Sequence, residues 1–193
     1  MNSQQILARF QLSVAANAQP LIAHPHKTRR ASAVMLPLID IQNSAHILLC
    51  KRPSYLKHHP GEICLPGGKR ELNDKNLRHT ALRELYEELN IGESQINVVG
   101  QLPEYSTLTG FTITPFVGVL TPQTQWLNDP NEVAESFLIP ISALIDTKNW
   151  QPLAFQRFGK IITLEGFSTE HGLLWGATAS IIKNFTMQLA IPV

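Results

Sequence analysis

A mixed α/β fold, a sheet flanked by helices, is what this sequence predicts, and three observations carry that expectation. Residues 33–40 and 45–51 are apolar runs of strand length, separated by Gln42, Asn43 and Ser44, which predicts a hairpin. A helical segment within 66–91 sets Leu82, Leu85 and Leu89 against Glu84, Glu87 and Glu88, and a second one at 174–189 repeats apolar residues at Ala177, Ile181, Ile182, Phe185 and Leu189. Short apolar runs at 63–65, 96–102, 113–120 and 136–139 supply further strands between them.

The remaining elements follow from local signals. Residues 3–10 form a short amphipathic helix with Ser3 placed as its cap, followed by an irregular arm rich in His, Pro and basic residues. Residues 140–146 read as a short helix, and 153–158 with 160–164 as a second hairpin around Gly159. Residues 1–30 are thus expected to be a helix and arm preceding one domain over 31–193. No repeat, low-complexity tract or linker interrupts it.

Composition narrows the function. The chain has 193 residues, 44% of them apolar, enough for one full hydrophobic core. A formal charge of +1 argues against coating a nucleic acid, which needs a concentrated basic surface. Cys50 and Cys64 stand among aliphatic residues and read as small buried hydrophobes, with no CxxC motif. There is no run with a basic start and an apolar h-region, no apolar stretch near the ~20 residues needed to span a bilayer, and the end, Ile-Pro-Val, is not a Ser-Lys-Leu address. A cytoplasmic protein, outside membranes, is expected; a homodimer is compatible with the sequence but not required by it.

The chemistry is concentrated in residues 66–91, PGGKRELNDKNLRHTALRELYEELNI. At about 100° per residue, Glu84, Glu87 and Glu88 fall within roughly a quarter-turn, with Leu82, Leu85 and Leu89 opposite. Like charges at these spacings repel, and a divalent cation is their natural compensation; hard oxygen donors suit Mg²⁺ or Mn²⁺. The alternative is a plain solvated acidic face, which most such clusters are. Pro66, Gly67 and Gly68 just upstream weigh against it, because a glycine pair lets the backbone approach a ligand closely. Arg83 lies four residues before Glu87, the spacing of an intrahelical ion pair, and would orient that carboxylate.

This segment resembles the Nudix box: a glycine, five residues, Glu, seven residues, Arg-Glu, an aliphatic, any residue, Glu-Glu, any residue, Gly and an aliphatic. Arg83, Glu84, Leu85, Glu87, Glu88 and Ile91 match in register. Gly68 lies fifteen residues before Arg83 where the general box has fourteen, Asp74 stands near the usual first Glu, and Asn90 replaces the usual Gly. Asn tolerates a left-handed backbone, so the last change suits a helix C-terminus. The extra residue is similar to the box of the coenzyme A diphosphatase branch. The upstream signature of that branch is matched by LLCKRPSYLKHHPGEICLPGG at 48–68, through Leu48, Leu49, Arg52, Leu56, His59, Gly61, Pro66, Gly67 and Gly68. Pro53, Glu62 and Leu65 depart from it, which bears on fine substrate contacts. LPEYSTLTGFTITPFVG, NEVAESFLIP and LLWGATA extend the likeness over most of residues 31–190.

The resemblance implies a Nudix α/β/α sandwich and Mg²⁺- or Mn²⁺-dependent hydrolysis of the diphosphate of coenzyme A or its thioesters, giving 3′,5′-ADP and 4′-phosphopantetheine or its acyl form. It implies Glu84 and Glu88 as the first metal ligands, Glu87 as the third, and the Gly67 carbonyl as an extra one. The water-activating base is open among Glu87, Glu132 and Glu135; the last two equally fit the exposed side of a strand or turn. Lys51, Arg52, Lys57, His58 and His59 form a local positive patch suited to a phosphate, with Arg52, Lys57 and His59 expected to meet substrate beside Gly68; the same charges would also suit a solvated hairpin edge. Among aromatic residues, Phe111 is the pocket candidate, while Trp175 is expected to pack; Tyr105 fits either role. Two alternatives stand beside this: another Nudix reaction on NADH, ADP-ribose or a nucleoside triphosphate, and a Nudix-fold binding protein without catalysis, against which the intact Arg-Glu and Glu-Glu pairs argue. The partner is in every case a small molecule.

Overall fold

The runs at 33–40 and 45–51 become β1 (Arg30–Ile41) and β2 (Ser44–Lys51), joined through Gln42 and Asn43 at φ 48° and 63°. Two successive positive φ values make the tight turn whose twist matches the flanking strands. The computed structural model describes residues 1–14, 29–157 and 160–189. The arm expected after the first helix lies, over 15–28, outside the described residues, as do 158 and 159 at the second hairpin turn.

The chain continues through β3 (Ile63–Cys64), β4 (Gly67–Lys69), α2 (Leu77–Leu89), β5 (Ile96–Gln101), β6 (Tyr105–Ser106), β7 (Phe111–Leu120) and β8 (Glu135–Pro140). It closes with α3 (Ile141–Ile145), β9 (Trp150–Arg157), β10 (Lys160–Thr169), β11 (Gly172–Leu174) and α4 (Gly176–Leu189); α1 (Ser3–Val14) precedes them all. The main sheet runs β3-β2-β1-β7-β5, with β4 added to β1, β6 to β7 and β8 to β2. β1 and β7 are parallel and the other pairs are antiparallel, so the sheet is mixed. A second sheet, β11-β10-β9, is antiparallel.

Period-two alternation splits the central strands between two cores. Leu36 and Leu38 of β1 and Ile47 and Leu49 of β2 join Ile6, Phe10, Ile182, Phe185 and Leu189, all buried, from α1 and α4. Met35, Ile39, Leu48 and Cys50 face the other way and meet Ala81, Leu85 and Leu89 of α2. Helices therefore cover both faces of the sheet, the α/β/α arrangement expected. Phe10 and Phe185 meet edge to face with centroids 5.8 Å apart, and Arg9 Nη1 donates to the Leu189 carbonyl at 2.9 Å, tying α1 to α4. No described helix is long and apolar enough to cross a membrane.

Several local expectations are corrected. Asn2, not Ser3, caps α1: its Oδ1 accepts from the Gln5 N–H while its own N–H donates to Gln5 Oε1. Ser3 instead donates through its N–H and hydroxyl to Asp40 at 2.8 and 2.7 Å, fastening the helix to the end of β1. The second hairpin continues to Thr169 because Trp150 pairs with Phe167 in register, their rings 5.4 Å apart. Leu174 ends β11, so the last helix starts at Gly176.

Candidate active site

α2 is held at both ends by asparagines. Asn76 Oδ1 accepts from the His79 N–H at 2.9 Å at its start, and Asn90 closes it at φ 55°, ψ 30°, its N–H donating to the Tyr86 carbonyl at 2.8 Å. The left-handed cap that a glycine supplies is thus made here by Asn.

The carboxylate face is not simply solvated. Glu88 is 2% exposed, among the buried residues of α2 with Ala81, Leu85 and Leu89, while Leu82 is half-buried. Its Oε2 has no hydrogen-bond partner. Burial pushes the Glu88 carboxyl up to about 8, helped by the nearby charges of Glu84 and Glu132 and opposed by Arg52 and a hydrogen bond from the Gly67 backbone. Burial also raises Glu84, against the pull of the adjacent Arg83. A carboxylate orphaned in this way is suited to a cation.

Its partner comes from far away in sequence. The segment after β7 lies across the end of α2, the Leu127 and Asp129 N–H groups donating to the Leu89 and Glu88 carbonyls at 3.0 and 2.9 Å. These last-turn carbonyls have no acceptor role inside the helix, so the segment is fixed where it satisfies them. Val133 is buried and the Ala134 N–H donates to the Lys51 carbonyl at 2.9 Å. Between those anchors Glu132 reaches the helix, and donor oxygens of Glu84, Glu88 and Glu132 lie within 4.8 Å of one another. Three hard oxygen donors, one of them from an unpartnered buried carboxylate, fit a divalent ion such as Mg²⁺.

Glu87 lies outside that group. Arg83 Nη1 donates to Glu87 Oε2 at 2.6 Å, the orienting pair expected from the spacing. The same guanidinium contacts Glu84 Oε1 at 2.9 Å, the Lys69 carbonyl at 3.0 Å and both oxygens of Asp74 at 3.1 and 3.2 Å. Asp74 is 3% exposed and also accepts from Thr80 Oγ1 and the Glu71 N–H, both at 2.9 Å, with His79 Nδ1 at 2.9 Å. Burial alone would raise its carboxyl, but these hydrogen bonds, Arg83 foremost, hold it well below the usual carboxylate range. In the sequence Asp74 stands out only as the acid near the box position of the first Glu; His79 and Thr80 carry no signal there.

Gly67 and Gly68 are part of β4 rather than a free loop, pairing with Val34 and Ala33. Gly67 adopts φ 156°, and a Cβ there would meet the Ala33 carbonyl oxygen at 2.4 Å. A Cβ on Gly68 would meet Glu84 Oε1 at 2.3 Å. Gly68→Ala is therefore expected to displace the Glu84 carboxylate and lower turnover about a hundredfold, with the melting temperature little changed. Steady-state kinetics over a Mg²⁺ titration, beside a melting curve, checks it.

The positive patch divides. Arg52 lies beside Glu88 and Cys64, and its Nε is buried without a partner. Lys51 Nζ donates to the His171 carbonyl at 2.7 Å. Lys57, His58 and His59 are exposed, His59 with Nδ1 2.8 Å from Glu62 Oε2. Glu135 is paired with His171 Nδ1 at 2.6 Å, and His171 stacks on Phe137 at 3.9 Å; topology alone brings this histidine to the end of β8. Phe111 begins β7 with the Arg30 guanidinium 4.3 Å and Lys69 Nζ 5.8 Å from its ring centroid. Tyr105 is half-buried, and Trp175 stacks on Phe155 at 5.4 Å. Cys50 and Cys64 are free and pair directly across β2 and β3, burial pushing the Cys64 thiol up to about 12. Neither is an activated thiol.

Comparison with known proteins agrees with this geometry. A family model described as NUDIX domain matches residues 28–158. A protein of Enterobacter sp. (strain 638) bearing the name "Uncharacterized Nudix hydrolase NudL" is 34% identical over 185 residues, covering 96% of this chain and 93% of its own length. A relative with the same name from Salmonella heidelberg (strain SL476) is 32% identical over the same shares. Among solved structures, DR0079 from Deinococcus radiodurans aligns with a TM-score of 0.55 and 11% identity over 84% of this chain and 88% of its own. RenU, a Nudix hydrolase from M. smegmatis, aligns with a TM-score of 0.52 and 21% identity over 61% of this chain and 74% of its own. At those identities the two structures bear on the fold alone. The family match and the near full-length relatives lead to one conclusion: the chain belongs to the Nudix hydrolases, metal-using enzymes that act on nucleoside diphosphate derivatives.

Proposed function

We propose that this enzyme hydrolyses the diphosphate bond of coenzyme A or its thioesters, releasing 3′,5′-ADP and 4′-phosphopantetheine or its acyl form. The observation that carries the reading is the course of residues 48–68. The segment that resembles the coenzyme A diphosphatase signature runs from β2 through β3 to β4, and its Arg52 ends beside Glu88 with an unsatisfied Nε. An unpaired guanidinium donor beside a metal-binding carboxylate suits a phosphate oxygen.

In this reading Glu84, Glu88 and Glu132 hold Mg²⁺ or Mn²⁺, with the Gly67 carbonyl an additional donor. When bound, the ion neutralises charge on the diphosphate and lowers the pKa of water. Arg83, itself held by Asp74, fixes the Glu84 and Glu87 rotamers, so these carboxylates need no reorganisation when substrate arrives. Of the three carboxylates weighed as base, Glu87 is engaged by Arg83 and Glu135 by His171, and we assign the role to Glu132, whose one oxygen would face the ion and whose other would accept the proton of the water. Arg52, with Lys57 and His59 on the following exposed loop, receives the remaining phosphate charge, while Phe111 offers a ring to the base or the pantetheine arm.

Chromatography of products formed with Mg²⁺ from coenzyme A, dephospho-coenzyme A, NADH, ADP-ribose and dGTP tests the proposal. Fastest cleavage of coenzyme A, with 3′,5′-ADP as product, is expected. Fastest cleavage of NADH, ADP-ribose or dGTP overturns it.

A further inference from the structure

A groove of about 510 Å³ opens at the N-terminal end of α2, bounded by the loop before the helix and by β7. Glu84, Glu88 and Glu132 take no part in its lining. Leu77, which does, precedes Glu84 by seven residues, about 10 Å along the helix axis at 1.5 Å per residue. The groove is thus separate from the carboxylate cluster, yet within reach of one extended small molecule.

Its charge is the informative feature. Arg70, Lys75 and Arg78 all line it, in a chain whose formal charge is only +1. Arg70 donates to the Asp74 carbonyl at 3.3 Å and is paired with no described carboxylate; Lys75 has no described partner at all. Of the three, Arg78 alone is ion-paired with a described carboxylate, that of the exposed Glu93 at 3.7 Å. Three cations lining one groove with so little carboxylate pairing match a phosphate, which offers three acceptor oxygens and two negative charges. The lining from outside the helix and its preceding loop differs: Thr114, 2% exposed, donates through Oγ1 to Glu104 Oε1 at 3.3 Å, and Phe116 adds an apolar ring. A carboxylate there disfavours a polyanion and accepts from a hydroxyl or amine.

We propose that this groove is a second anion subsite, taking the phosphate of a phosphate monoester on Arg70, Lys75 and Arg78 and a hydroxyl of the attached body on Glu104. The phosphate comes either from the far end of the substrate or from a free phosphorylated molecule. The subsite stands on the groove alone and does not depend on the substrate proposed above.

Inorganic phosphate titrated into the metal-free full chain at constant ionic strength, followed by amide NMR, decides. Saturable shifts at Leu77, Arg78 and Gln101 are expected, weakened at least about tenfold in Arg70→Gln/Lys75→Gln and measurably in Lys75→Gln, an exposed substitution that tests the site without disturbing the fold. Shifts that do not saturate, or that persist unchanged in both variants, overturn the proposal. Kinetics then assign the source: a rise in KM confined to substrates carrying a phosphate monoester in the double variant marks a substrate group. A phosphate effect on turnover of all substrates alike, lost in that variant, marks a free ligand.

Discussion

Glu88→Gln is expected to lower turnover by about three orders of magnitude, the equivalent of about 4 kcal/mol of transition-state stabilisation, while making the metal-free fold more stable at pH 8. The two effects share one cause. Glu88 is 2% exposed with an unpartnered Oε2, and its carboxyl is pushed up to about 8 from the ordinary 4.5. The folded chain therefore retains a proton that the unfolded chain releases between about pH 4.5 and 8. Stability from this group is complete below the unfolded value and is lost as pH rises through the folded one, by about 5 kcal/mol at most. Without metal, the wild type should melt progressively lower from pH 5 to pH 8; Mg²⁺ should reverse the trend by taking the place of the proton. Gln carries no charge to bury, and its amide can donate toward Glu84 or Glu132. Its melting temperature should be nearly flat across this range and insensitive to Mg²⁺. Calorimetry at several pH values, with and without Mg²⁺, reads both; a metal-free wild-type curve that is flat with pH removes the assignment.

Arg83→Ala is expected to cost about 3–5 kcal/mol of stability, a fall in melting temperature of roughly 10 °C for a chain of this size, and to abolish turnover. Among the described residues, Arg83 is the single cation that touches Asp74, Glu84 and Glu87 together, and Asp74 is 3% exposed. Removing it leaves a buried carboxylate charged without its main counterion. Two controls separate this from a general packing defect. Adding Asp74→Asn should recover part of the lost stability, because the stranded charge disappears with it. Asp74 in the wild type is held well below the usual carboxylate range, so its contribution is present above about pH 4 and lost as pH falls further. The gap between wild type and Arg83→Ala should accordingly narrow in acid. Arg83→Lys should not restore function, since one ammonium cannot span three carboxylates and a carbonyl.

Both results turn on features with different visibility in the sequence. Arg83 and Glu87 pair on spacing alone, because helix geometry relates residues four apart by a fixed rotation. Asn90 at a left-handed C-cap is equally legible, as a property of one residue and its neighbours. The burial of Glu88 is not: rotation along a helix puts three carboxylates in one arc but does not say which of them the sheet and the following loop will cover. Glu132 illustrates the same limit. Its spacing within NEVAESFLIP is that of any exposed carboxylate, and it reaches Glu84 and Glu88 because N–H groups at Leu127 and Asp129 satisfy the last carbonyls of α2.

Strands divide along the same line. Residues 33–40 and 45–51 are long enough for their own apolar runs to define them, whereas β4, β6 and β11, of two or three residues, exist only because a neighbouring strand offers hydrogen bonds. The parallel pairing of β1 with β7 joins segments some 80 residues apart, and no local pattern encodes it. Motif likeness thus pointed to the family, while period and spacing gave the helix that bears the carboxylates and the arginine that orients one of them. Which carboxylates meet, which is dehydrated and which histidine holds Glu135 were decided by tertiary packing, because burial and distant hydrogen bonding depend on what the rest of the chain lays against each residue.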